Sequence, residues 1–286
     1  MTDHLRQKLR NQEFVLTVEM EPPAGADPNP ALEAIAKLKD DFTAVNVADS
    51  PMASLRMSPI ALAHLAQEDK GVEIIFHLTC RDRNLLGLQA ELLGAAALGV
   101  RNILALTGDP PTNGDHPEAT GVFDVDSVGL IRLAKMLNNG KAISGKELAA
   151  PTDFFIGTVA NPTAEDLNKE VERLAQKVEA GANFVQTQPI FAPDQFERFH
   201  AAVGHLQIPI LYGILPLKSY RSAKYLAEKV PGINIPTSVL ERIEEGGAEV
   251  GLILAQELLD YLKPRAAGAH IFPMGNPDLA LAVLAQ

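Results

Sequence analysis

Residues 73–106, EIIFHLTCRDRNLLGLQAELLGAAALGVRNILAL, hold one complete strand–helix–strand unit. Glu73 to Leu78 is a short run rich in β-branched and aromatic residues. Leu85 to Leu98 carries apolar residues at helical spacing and stops at Gly99, and Arg101 to Leu106 returns to an apolar strand pattern. The unit repeats along the chain in both directions. Further strands are predicted over Phe14 to Met20, Phe42 to Val47, Phe154 to Val159, Asn183 to Thr187, Ile208 to Tyr212 and Ala269 to Phe272, which brings the total to eight. Helices are predicted over Ala31 to Leu38, Pro59 to Glu68, Val125 to Asn138, Ala164 to Ala180, Pro193 to Val203 and Ser219 to Val230. Thr163, ahead of Glu165 and Asp166, reads as the N-cap of the Ala164 helix. Two more helices are expected between the last two strands, one after Ile235 and Pro236 and one over Val250 to Leu262.

Eight alternations in 286 residues predict an α/β chain folded as a single (β/α)8 TIM-type barrel, one domain over 1–286. An open doubly wound sheet would share the alternation, but no GxGxxG follows the first strand and no P-loop occurs. The longest interruption is the Gly/Pro/Asp-rich GDPPTNGDHPEATG at 108–121, followed by a helix and a polar stretch to Pro151. With 36 acidic against 25 basic residues, a net charge of −11 argues against a nucleic-acid partner and for a small-molecule ligand. No apolar run is long enough for a membrane span and the first dozen residues lack a secretory pattern, so a cytoplasmic location is expected. The single cysteine, Cys80, excludes an internal disulfide and speaks against a thiolate metal site, so no metal is expected and redox chemistry would need an organic cofactor.

In a parallel barrel, alternate residues point inward and active sites gather at the carboxyl ends of the strands. Leu16, Val18 and Met20 form the apolar face of the first strand, which sends Thr17 and Glu19 inward. Ile74, Phe76 and Leu78 do the same for the third and leave His77 inside, while Gln186 and Gln188 share the inner face of the sixth. A desolvated Glu19 is a candidate general acid, although Glu21 lies beside it. Asp109 follows a glycine turn that allows close approach to a ligand, though Asp is also an ordinary turn residue. Gln188 could read a heterocycle edge, or bond to a neighbour. His77 reads as a hydrogen-bonded core residue or a ring contact, and Lys177 as a phosphate ligand or a solvated helix face.

In order along the chain, VEMEPPAG, FHLTC, LALTGDPP, AGANFVQTQPIF and GILPLKSY resemble the methylenetetrahydrofolate reductases. The resemblance implies an FAD-dependent barrel that reduces 5,10-methylenetetrahydrofolate to 5-methyltetrahydrofolate, with NADH, NADPH or a redox-protein partner as electron donor. It implies Glu19 and Asp109 as catalytic groups, and Gln188, Tyr220 and Asp109 as folate contacts. Asn46, His77, Asp109 and Lys177 are implied as flavin contacts. It also leaves association into a homo-oligomer open. The chain departs from the family pattern at Glu21, where an aromatic is common, at Thr107, where some members carry Arg, and in GTVANP at 157–162. Two other readings stand beside it: a flavin-free pterin-binding barrel that transfers a one-carbon unit, and a non-catalytic barrel that docks on an electron-transfer partner.

Overall fold

In the computed structural model, which describes residues 3–230 and 232–285, eight parallel strands close into a barrel in simple sequential order. They are β1 (Val15–Met20), β2 (Ala44–Val47), β3 (Ile74–Thr79), β4 (Asn102–Leu106), β5 (Phe155–Ala160), β6 (Phe184–Ile190), β7 (Ile210–Ile214) and β8 (Gly268–Ile271). The helices are α1 (His4–Arg10), α2 (Asn29–Leu38), α3 (Pro59–Lys70), α4 (Leu85–Ala97), α5 (Ser127–Asn138), α6 (Leu167–Ala180), α7 (Pro193–Val203), α8 (Tyr220–Lys229), α9 (Thr237–Leu262) and α10 (Pro277–Leu284). All eight expected strands form, and β1 pairs with both β2 and β8, which seals the barrel.

Strand alternation sorts side chains into two cores. Val18, Met20, Ile74, Phe76 and Leu78 face outward and pack with the helices. Val15, Ala44, Ile75, Leu104, Phe155, Phe184 and Leu211 face inward and meet Leu5 and Leu9 of α1. Phe155 and Phe184 stack at 5.2 Å inside the barrel. Position 157 must be glycine beside them, because a Cβ there would lie 2.3 Å from the Phe184 ring. The lower half of the barrel is therefore an apolar plug, and α1 closes its base.

Three local expectations change. The α6 helix begins later than Ala164, with Asp166 as its N-cap accepting from the Lys169 amide. The Thr163 hydroxyl instead bonds to Asn161 and to the Gly232 carbonyl, so a tertiary contact takes the side chain that local sequence offered as a cap. The two helices expected after Pro236 run together as α9, broken only at Gly247, whose backbone leaves the helical region. No helix among the described residues is long and apolar enough to cross a membrane.

Candidate functional site

Above the apolar plug, the inward residues of five strands turn polar at one level. Thr17 (β1), Asn46 (β2), His77 (β3), Gln186 (β6) and His270 (β8) are all buried. They join in a continuous hydrogen-bonded layer: Asn46 Nδ2 lies 2.9 Å from His77 Nε2, and the Asn46 and Gln186 amides pair at 2.7 and 3.0 Å. Gln186 Nε2 donates to Thr17 Oγ1 at 2.9 Å, and Thr17 Oγ1 lies 2.9 Å from His270 Nδ1. Burial pushes His77 down to about 4, and burial together with the neighbouring His77 pushes His270 down to about 3. At neutral pH this layer carries no charge.

The layer floors a cavity of about 630 Å³ at the carboxyl ends of the strands, within the roughly 300–1,000 Å³ of small-molecule sites. Glu19, one strand repeat above Thr17, rises into its wall before Pro22 and Pro23 end the chain direction. Burial, with a smaller contribution from Glu21, raises the Glu19 carboxyl from 4.5 to about 7. Glu21 itself is exposed, pairs with Arg56 at 3.1 Å and does not line the cavity, so of the two carboxylates only Glu19 faces the interior.

Asp109 stands on the exposed rim of the same cavity, after β4. Gly108 before it has φ +92°, and a Cβ there would lie 2.9 Å from the Thr79 Cβ, so glycine alone lets the loop lie flat against β3. Gln188 reaches the rim after a register shift in β6 between Gln186 and Pro189, which moves it out of the buried layer into the open mouth. Lys177 is buried, against the reading as a solvated helix face. Its Nζ donates to the Val159 carbonyl at 2.6 Å, and burial lowers it to about 8. Arg173, one turn earlier on α6, lines the same wall and pairs with Asp126 at 3.3 Å.

Five of the seven residues singled out from the sequence, Glu19, His77, Asp109, Lys177 and Gln188, thus line one cavity. Asn46 is fully buried beneath it and bonds to His77, which lines it. Tyr220 does not line it: as the first residue of α8 it packs on a separate apolar cluster with Leu217 and Ala223, because the chain after β7 turns outward toward α9. Sequence reasoning passed over His270, although Ala269 and Ile271 face outward and parity alone places it inside. It also passed over Asp49, which is buried in the wall and accepts from the Thr79 amide and hydroxyl and from Arg83 at 2.8 Å. No period marks Asp49, since it lies two residues beyond the end of a short strand.

A family model described as methylenetetrahydrofolate reductase matches residues 4–286. Methylenetetrahydrofolate reductase 2 of Schizosaccharomyces pombe is 28% identical over 227 residues, which span 74% of this chain and 35% of that protein. The 5,10-methylenetetrahydrofolate reductase of Salmonella typhimurium is 27% identical over 230 residues, 76% of this chain and 71% of the relative. The chain therefore spans about a third of the length of the fission-yeast relative and most of the bacterial one. Among solved structures, a Clostridium thermocellum protein described as binding two copies of 5-methyl-5,6,7,8-tetrahydrofolic acid superposes with a TM-score of 0.65 over 97% of both chains, at 16% identity, and so shares the fold. With the family match spanning nearly the whole sequence, the chain belongs to the methylenetetrahydrofolate reductase family.

Proposed function

We propose that the chain reduces 5,10-methylenetetrahydrofolate to 5-methyltetrahydrofolate on a bound FAD, which NADH, NADPH or a partner redox protein reduces in turn. The observation that carries this reading is Glu19: a carboxyl group raised to about 7, in one cavity with Asp109 and Gln188. An acid with that pKa holds a proton at neutral pH and can release it, which is the condition for general acid catalysis there. Family membership supports the substrate, and the folate bound by the Clostridium thermocellum neighbour is in keeping with it.

The residues present fit a flavin. The uncharged floor offers a polar surface, and Lys177 with Arg173 puts two cations on one wall, where a diphosphate would be held. When bound, the flavin supplies the hydride. The chain's own groups do the rest. Glu19 gives its proton to the folate nitrogen that leaves as the five-membered ring opens. Asp109, at the rim, faces the positive charge left on the opened folate and accepts from the amino edge of the pterin. Gln188, with one donor and one acceptor end, fixes the ring's orientation without adding charge. Asn46 acts by holding His77 in the cavity floor, and Tyr220 lies outside this arrangement.

Two measurements on the purified full chain test the reading. Flavin absorbance, in the protein as isolated or after reconstitution with FAD, should bleach when NADH, NADPH or a reduced redox protein is added. A chain that never takes up flavin would instead fit the one-carbon transfer reading. Glu19→Gln should keep reduction of the flavin by the donor while slowing the folate half-reaction by about 10²–10⁴, the usual worth of a general acid. If both half-reactions survive, Glu19 is not the acid.

A further inference from the structure

The two histidines of the cavity floor sit on β3 and β8 and share no direct hydrogen bond, yet their hydrogen-bonding roles are tied together. An amide nitrogen has two hydrogens to give and no lone pair to offer. Asn46 Nδ2 gives one hydrogen to Gln186 Oε1 and points the other at His77 Nε2, so that ring nitrogen accepts. Gln186 Nε2 gives one to Asn46 Oδ1 and one to Thr17 Oγ1. The Thr17 hydroxyl, already accepting, has His270 Nδ1 as the acceptor for its own hydrogen. Gln186 Nε2 also lies 3.3 Å from that nitrogen and has no lone pair to accept from it, so a hydrogen on His270 Nδ1 would face a donor. Both histidines therefore accept on the side that faces the network.

We propose that Asn46 and Gln186 are positioning residues that set the two tautomers jointly, His77 as Nδ1–H and His270 as Nε2–H. The floor then presents two N–H donors to a ring edge bearing carbonyl or ring-nitrogen acceptors. The remaining nitrogen of each ring has no protein partner among the described residues. Neither is one of the sealed, unpartnered polar atoms of the interior, and both rings line the cavity. Because burial holds both rings neutral at physiological pH, each carries one proton, and the network decides where it sits.

The reciprocal amide pair makes the arrangement all-or-none. Turning over one amide alone would set nitrogen against nitrogen and oxygen against oxygen, which leaves buried groups unsatisfied at about 1–3 kcal/mol each. Turning over both would reverse both histidines and present two acceptors. The floor thus has a donor state and an acceptor state, and the observed bonds are those of the donor state. That these donors serve a flavin or a pterin rests on the reductase reading; the tautomer pair does not.

The test is long-range proton–nitrogen correlation NMR on the full chain labelled with ¹⁵N-histidine, without ligand, at pH 8. Signals are assigned with His77→Gln and His270→Gln. The expected result is His77 protonated on Nδ1 and His270 on Nε2. The opposite pair, or a mixture at either ring, overturns the proposal. Gln186→Met touches His270 but not His77, and Asn46→Leu touches His77 but not His270. Each should nonetheless turn the distant histidine into a mixture of tautomers, a response that simple packing loss would not produce. If each variant alters only the ring it contacts, the coupling is wrong. Should a variant fail to fold, the wild-type tautomers still decide. In the holoenzyme Gln186→Met should also weaken flavin retention about tenfold, the equivalent of one hydrogen bond. A chain that holds no flavin would overturn the reductase reading and leave the tautomer result standing.

Discussion

A carboxyl group raised from 4.5 to about 7 leaves two signatures, one in activity and one in stability. In activity, the protonated fraction of Glu19 falls as pH rises through about 7, so the folate half-reaction should decline above neutrality while flavin reduction by the donor does not. Glu21 adds to the rise, so Glu21→Gln should move that decline to lower pH, and Arg56, released from its partner, would push the same way. In stability, between pH 4.5 and about 7 the unfolded chain has lost this proton while the folded chain keeps it, so stability falls as pH rises through that window. Glu19→Gln removes the fall, and urea unfolding at pH 8 should find the variant more stable by up to ~3 kcal/mol. A variant no more stable than the parent at pH 8, with an unchanged pH profile, would show that Glu19 titrates as an ordinary carboxylate. Strand parity made Glu19 and His77 legible in the sequence, and the same rule extends to His270. Parity could not show the pairing of Asn46 with Gln186, 140 residues apart, nor the burial of Lys177, which depends on where α6 lands on β5.

Among the elements, the loop that carries Asp109 depends most visibly on one backbone conformation. Gly108 has φ +92° and sits against Thr79 and Arg81 of the neighbouring strand end. Gly108→Ala would add both a strained backbone and a methyl 2.9 Å from the Thr79 Cβ. The expected cost is ~1–3 kcal/mol, with a fall in kcat/KM for the folate as Asp109 moves, and no change in the pH at which Glu19 titrates. Thermal unfolding and half-reaction kinetics on the same preparation would check it, and a variant as stable and active as the parent would mean the loop has room to spare. The mouth carries other left-handed residues that are not glycine, at Ser50, Met52 and Ala53 after β2. Periodicity found the strands and most helices because each buries a face of fixed repeat. It carried no information on these loops, whose shape is set by contacts such as that between the 111–114 turn and the Ala53 carbonyl.

At the level of the whole molecule, the barrel divides its labour between two ends. The base holds an apolar plug, and α1 caps it with Leu5 fully buried and Leu9 nearly so. The first dozen residues read as merely polar, because two leucines one turn apart are too few to declare a period. The Glu73 carboxylate anchors α1 by accepting from the His4 amide at 2.8 Å, from the Leu5 amide and from Asn102 Nδ2 at 2.9 Å. The mouth, by contrast, holds Glu19 with its raised carboxyl and the left-handed Ser50, Met52 and Ala53. If the two ends are independent, a lesion in the base should cost stability and leave the chemistry alone. Leu5→Ala should destabilise the chain by ~2–5 kcal/mol, as large-to-small changes at fully buried sites do. Below its unfolding transition, the variant should keep its flavin content, its KM for the folate and the neutral-pH decline set by Glu19. Denaturant unfolding monitored alongside flavin release separates the two quantities. If Leu5→Ala instead loses flavin while the fold remains intact, the plug transmits to the mouth through the shared strands, and the polar layer is not the barrier between them.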